Sequence, residues 1–442
     1  MKKLIASLFV TGGIAACSAY AQSLPPGTIG YSPGTADDRI SWQTFISVVK
    51  PAPPATPLWP AGTLTFETWA TDNDTFGTNG PRWPSSLTPP TVRFQQSALG
   101  LHGRAELKTT QPQGAASSGG LPSSVTCKAP GNASAGNFPT PAVATPPANC
   151  AAEEVRRNKV AFDYIAALPG LYTATQLANN FKLAAPISFP QGAAKGVLTN
   201  AALELKVDWV PVGTVVTWLN NNNAVAPQAT TQFVLKNYFI TTDSAGNQYA
   251  MLSMHLSLKD RPNWIWSTFE HQLNVGRCDT MGCYDKFGMP STLASIAPNA
   301  NPNQPYPACS TKTPALKKLF ADAGLGPVWN NYCLKSTQTQ FTVAGGTNPP
   351  KSAKPAVSAG APLSVLSGDS VVERIVANVP IATSSCITCH SYAAFDKNGC
   401  ISNTNPGLAS PAPIGAPKPQ AGQKQYDFVW GLISMANGCF GP

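Results

Sequence analysis

The sequence predicts an α+β fold: a central antiparallel sheet with peripheral helices, long Pro/Gly-rich loops and a helical C-terminal segment. Three observations carry that expectation. Runs of β-branched and aromatic residues with alternating character cluster in the middle of the chain. Segments of helical period flank them on both sides. The composition sets 43 Pro and 36 Gly beside only 12% charged residues, while 43% of the chain is hydrophobic. Such a chain has enough apolar surface for a core and long irregular connections around it, which excludes a disordered polymer.

The elements follow in order. Lys2 and Lys3 precede "LIASLFVTGGIAA", an apolar run too short to cross a bilayer, and Ala19-Tyr20-Ala21 has the small-x-small pattern that a signal peptidase cuts. Residues 1-21 therefore read as a signal peptide and the chain as periplasmic or secreted. A cut before Cys17, in the lipobox-like Ile14-Ala15-Ala16-Cys17, would instead leave an outer-membrane lipoprotein anchored at Cys17. No later run has the length and apolarity of a transmembrane helix. "SWQTFISVVKP" and "TLTFETWATDNDTF" are short ordered pieces, and residues 109–149 form a low-complexity connection. "AEEVRRNKVAFDYIAAL" and "TATQLANNFKLA" read as helices, the second opened by capping threonines. "LELKVDWVPV", "TTQFVLKNYFITT", "YAMLSMHLSLKD" and "NWIWSTFEHQL" read as strands, broken at "NNNN", "DSAGNQ" and "DRPN". "PALKKLFADAGLGPVWNNYCL" reads as two short helices around a glycine turn. "SGDSVVERIVANV" reads as a helix capped by Ser370, and "YDFVWGLISMA" as a final amphipathic helix.

Removing Lys2 and Lys3 from the 30 basic residues, against 21 acidic ones, leaves an excess of about seven positive charges. They are scattered, with no basic cluster and no nucleic-acid motif, so no nucleic-acid partner is expected. The cysteines are more informative. Cys17 leaves with the signal peptide or becomes the anchor, and Cys386 and Cys389 belong to one motif. Cys127, Cys150, Cys278, Cys283, Cys309, Cys333, Cys400 and Cys439 remain, an even set that suits disulfides in an exported chain. Nearest-neighbour pairing, 127 with 150, 278 with 283, 309 with 333 and 400 with 439, would staple four local loops.

The motif is Cys386-Ile387-Thr388-Cys389-His390. Two residues between the cysteines set the sulfurs for thioether bonds to the two vinyl groups of a haem, and the next histidine reaches the iron. A thioredoxin-like dithiol lacks a surrounding βαβ pattern, a zinc site lacks a partner pair at finger-like spacing, and a simple disulfide leaves the histidine unexplained. One covalent haem c is therefore expected, with Cys386 and Cys389 as attachment points and His390 as proximal ligand. On that reading residues 22-361 form an α+β main domain with disulfide-stapled loops, and residues 362-442 a haem c attachment segment.

The far side of the iron is less determined. His271, His255 and Met435 are the distal candidates, and Glu270, His271 and His255 are the candidates for acid–base work if the site is open. Met435 shares an apolar helical face with Phe428, Val429 and Leu432, and His102 has no chemical neighbour, so both read as structural. Alternation places Leu252, Met254 and Leu256 on one face of a strand and Ser253, His255 and Ser257 on the other. In the next strand Ile265, Phe269 and His271 oppose Trp264, Trp266 and Glu270. One register at "DRPN" places His255 beside Phe269 and His271; a one-residue shift separates them.

"SWQTFISV", "FETWATDNDTF", "MHLSLKDRPNWIWSTFEHQLN", "SSCITCH" and "YDFVWGLISMA", in this order, resemble a family of exported proteobacterial proteins described as cytochrome c family proteins, with one haem motif near the C-terminus. The resemblance runs from about Ser41 to Ala436, with proline-rich insertions longer than the pattern needs. It implies haem binding at Cys386, Cys389 and His390 and electron transfer, and it supplies no substrate. His255 and the Glu270-His271 pair fall inside a matching segment. The expected function is one-electron exchange with a redox partner protein or a small electron donor or acceptor. The alternatives are a peroxidase- or oxygenase-like oxidoreductase with an open distal site, and a surface binding protein with a structural haem.

Overall fold

The computed structural model describes residues 35–53, 59, 62–77, 79–85, 152–167, 169–192, 200–220, 228–242, 248–274, 277–278, 282–296, 308–339, 367–368, 386–391, 393–400 and 422–429. Its centre is a seven-stranded antiparallel sheet with helices around it, the α+β class expected. The strand order is β1 (Ala70–Thr71), β2 (Ala152–Arg157), β3 (Leu203–Pro211), β5 (Gln248–Leu258), β6 (Ile265–His271) and β9 (Tyr332–Gln338). A short β4 (Ile240–Thr242) lies along β5. Two-stranded pieces pair β7 (Cys283–Tyr284) with β8 (Ser295–Ile296), and β10 (Ala394–Phe395) with β11 (Lys424–Gln425). No helix among the described residues is long and apolar enough to cross a membrane.

Three segments of the sheet region depart from the sequence expectation. "AEEVRR" is β2, not the start of a helix. Three of its charged side chains are paired in the interior: Arg156 with Glu154 at 2.7 Å, and Arg157 with Asp72 and Glu204 at 2.5 and 2.8 Å. The helix starts only after Asn158, whose side chain caps it by accepting the Ala161 N–H. "TTQFVLKN" is a helix rather than a strand, because Thr230 accepts the Phe233 N–H and nucleates a turn over Thr231–Asn237. The chain after the "GLGPVWN" turn becomes β9, a further strand at the edge of the sheet.

The sheet is buried on both faces. Helix α1 (Thr35–Val49) lays Trp42, Phe45, Ile46 and Val49 at helical spacing on the first face and stops before Pro51. Phe45 stacks on Phe269 at 4.3 Å between ring centroids, and Trp42 meets Phe269 edge-on at 4.9 Å. A loop closes over this aromatic group at Gly288, where an added Cβ would lie 2.3 Å from the Trp42 indole nitrogen and 2.4 Å from an Asp285 oxygen. Trp42 donates to Asp285 at 2.8 Å, and Asp38 accepts the Lys286 N–H at 2.8 Å. Leu205, Met254, Leu256 and Leu334 join this core, whereas Trp264, Trp266, Val155 and Phe395 belong to the second face. A bulge between Asp208 and Trp209 shifts the alternation in β5. Leu252, expected beside Met254, consequently packs with Val210, Val215 and Trp218 in a third cluster.

Two of the expected disulfides are present, Cys278–Cys283 and Cys309–Cys333. Cys400 is disulfide-bonded as well, and its partner lies outside the described residues. Cys17, Cys127, Cys150 and Cys439, the expected signal peptide and the helix expected after Ser370 also lie outside them.

Truncating Phe269 to Ala should cost about 3–5 kcal/mol of stability, read from urea unfolding, because the cavity opens among packed rings; a loss well under 1 kcal/mol would contradict this core. Burial, and then the charge of Asp285, raise the Asp38 carboxyl to about 7. A raised folded-state value adds stability below the unfolded value near 4 that is lost as pH rises toward 7. Asp38→Asn should therefore flatten the pH dependence of stability across that window relative to the parent chain. An unchanged difference between the two proteins at pH 4 and pH 8 would refute it.

Candidate functional site

The Cys-x-x-Cys-His motif forms a one-and-a-half-turn helix, Cys386–Ser391, seated on the second face of the sheet. Its first N–H groups are satisfied by the sheet side rather than by its own turn. Cys386 donates both its N–H and its thiol to the Ser367 carbonyl, at 3.1 and 3.0 Å. Ile387 donates its N–H to the Gln338 side chain of β9 at 3.1 Å. Ser367 in turn meets Thr268 of β6 at 3.2 Å, and Thr268 meets His255 Nδ1 of β5 at 3.3 Å. Below the helix the Trp266 ring lies 4.5 Å from the His390 ring.

After the helix, β10 pairs with β11, and Tyr426 stacks on Phe395 at 4.4 Å. The pairing returns the chain to His390 at a turn that "YDFVWGLISMA" did not foretell. Asp427 and Phe428 have φ of 55° and 73°, so the expected final helix cannot include them. Two consecutive left-handed non-glycine residues cost about 1–2 kcal/mol each and persist only where the surroundings over-determine them. Here they do. Asp427 accepts the Phe189 N–H at 2.7 Å and the Lys259 ammonium at 2.6 Å, and the same ammonium donates to the Pro262 carbonyl at 2.7 Å. The turn presents the Phe428 carbonyl to His390, which donates its Nδ1–H to it at 2.8 Å. A carbonyl can only accept, so Nδ1 carries the proton, and whenever the ring is neutral the lone pair is on Nε2.

Among the described cysteines the free one is Cys386, so it forms no disulfide with its motif partner. Of Cys389 the backbone alone is described, on the same short helix three residues on. No group of three or more His, Cys, Asp or Glu among the described residues is arranged to hold a lone metal ion. All pairings of the central sheet are antiparallel, unlike the parallel βαβ unit of a thioredoxin-like dithiol.

The register at "DRPN" pairs Met254 with Phe269 and His255 with Thr268. His255 therefore shares the motif's face, half-buried, whereas His271 belongs to the opposite side. His271 stacks on Tyr238 at 3.5 Å; its Nε2 bonds the Asn237 carbonyl at 3.0 Å and its Nδ1 accepts the Leu273 N–H at 3.2 Å. Both nitrogens are used by the backbone, and burial lowers its pKa to about 3. Glu270 is fully buried and paired with Lys335 at 3.1 Å, with Asn274 donating to its other oxygen. Met435 and His102 lie outside the described residues.

Comparisons of the chain with family models, curated proteins and solved structures give no match. Nothing in the sequence ties the residues that position the motif to it. Ser367 and Gln338 lie in none of the segments that carry the resemblance. Lys259, Thr268 and Asp427 lie in two of those segments, but Lys259 and Asp427 are 168 residues apart and nothing local pairs them. The position just before the Pro-Asn turn and the Asp of "YDF" were their only traces.

His271 should stay neutral through the physiological range, with ring NMR signals that do not titrate between pH 5 and 8. A lowered folded-state value means that its contribution to stability is lost as pH falls below about 6.5 toward 3. A His271 titration midpoint near 6.5 would contradict the buried, doubly bonded ring.

Proposed function

We propose that the chain is an exported monohaem c-type cytochrome, with haem bound through Cys386 and Cys389, His390 as proximal ligand and one-electron transfer as its activity. The observation that carries this reading is the His390 Nδ1–H bond to the Phe428 carbonyl. A histidine that serves iron through Nε2 is oriented by donating its other nitrogen to a fixed acceptor, and a carbonyl on an anchored turn is such an acceptor. The free thiol of Cys386 at the start of the same helix fits the attachment chemistry.

Held by Cys386, Cys389 and His390, a haem would supply a ferric–ferrous couple. The chain's own residues orient, cover and tune. Trp266 and Phe428 give an apolar wall beside His390, and Gln338 and Ser367 hold the helix start on the sheet. Of the described residues weighed for the far side, His255 is the one joined to the motif by hydrogen bonds, through Thr268 and Ser367. His271 and Glu270 serve the fold, which favours a carrier over an enzyme that needs either as proton carrier.

Expressed in a cytochrome-maturing host, the protein should give a pyridine haemochrome of the c type, and its Cys386–Cys389 peptide should carry porphyrin mass. His390→Ala should abolish the normal haem spectrum. His271→Ala should leave the spin state unchanged, while His255→Ala should perturb it. A mature protein whose motif peptide carries no added mass would defeat the proposal.

A further inference from the structure

The left-handed turn at Asp427-Phe428 is the most constrained piece of backbone near the motif, and two elements distant in sequence hold it. Phe189 N–H and Lys259 bind the two oxygens of the Asp427 carboxylate, at 2.7 and 2.6 Å. Lys259 is fastened in its turn to the Pro262 carbonyl at 2.7 Å and lies over the Trp264 ring at 5.4 Å. Side chains of the pair are only 4% and 9% exposed, so water does not loosen it. Phe428 would leave φ of 73° for ordinary backbone if this brace were cut, and its carbonyl would swing with it.

From this geometry we infer that Asp427, braced by Lys259, is a positioning residue for His390: it fixes the carbonyl that dictates the His390 tautomer and the direction of its Nε2 lone pair. Asp427 acts through the turn: its carboxylate is engaged by the Phe189 N–H and Lys259, and the contact with the imidazole is made by the Phe428 carbonyl. The consequence for iron rests on the haem reading above; the tautomer is a property of the chain alone. An Nδ1–H held firmly by a carbonyl gives the imidazole partial imidazolate character, which favours ferric over ferrous iron and lowers the potential.

The full chain labelled with ¹⁵N-histidine tests it, with His390 assigned by its loss in His390→Gln. The parent protein should show His390 as a single Nδ1–H tautomer. Asp427→Ala should convert it to a mixture with the Nε2–H form. If that variant does not fold, Lys259→Met, which keeps the aliphatic stem over Trp264, carries the same expectation. A single Nδ1–H tautomer in a folded variant, or its absence from the parent chain, overturns the inference. In the haem-loaded protein the same variants should shift the midpoint potential upward, and an unshifted potential counts equally against it. A chain that changes tautomer yet carries no porphyrin would end the cytochrome reading and leave this one standing.

Discussion

The register between β5 and β6 decides what each face of this protein can be. Pairing Met254 with Phe269 sends that pair into the aromatic core under α1, and pairing His255 with Thr268 sends those polar side chains to the face that carries the Cys-x-x-Cys-His helix. A slip by one residue would turn one strand over relative to the other, bringing His255 and Phe269 to one face and so placing one of the two on the wrong side of the sheet. The bulge at Asp208/Trp209 confines the damage that a long strand would otherwise accumulate. It lets Met251 and Met254 both reach the first core while Leu252 fills the helical cluster at the far end.

How much was legible follows from whether a signal is local. The strands β3, β5 and β6, the helix opened by a capping threonine at Thr173 and the glycine turn before Trp329 are written in neighbouring residues and match the expectation. The face taken by Leu252 does not, because a bulge intervenes. "AEEVRR" misled because its charges find partners elsewhere in the chain: Arg157 needs Asp72, 85 positions earlier. "TQFVLKN" misled because β-branched and aromatic residues also suit a short helix once a threonine caps it. For the site, the Cys-x-x-Cys-His motif itself is plain in the sequence, since its spacing is a local property. The partners that orient it are not, because a carbonyl oxygen such as that of Phe428 has no side-chain signature. His255 and His271 looked equivalent in sequence and differ entirely in their surroundings, one on the motif's face and one locked between Tyr238 and a backbone carbonyl.

The size of the chain relative to a six-residue helix has a physical reading in the buried ion pairs. Arg157 joins β2 to Asp72 and to Glu204 of β3; Lys335 joins β9 to Glu270 of β6; Lys259, at the end of β5, joins the turn beside His390. Buried pairs of this kind add little over well-packed apolar substitutes, because desolvation of both charges offsets their attraction. What they fix is relative position, since removing either partner leaves an uncompensated charge in the interior. A one-and-a-half-turn helix cannot hold its own shape in water. It is held here by the Ser367 carbonyl, the Gln338 side chain and the Phe428 carbonyl, and each of these is held by an element of the large sheet. Under the cytochrome reading, the sheet is therefore a frame for one imidazole. Its polar second face is costly as a core but suited to setting the orientation and the field of a single ligand.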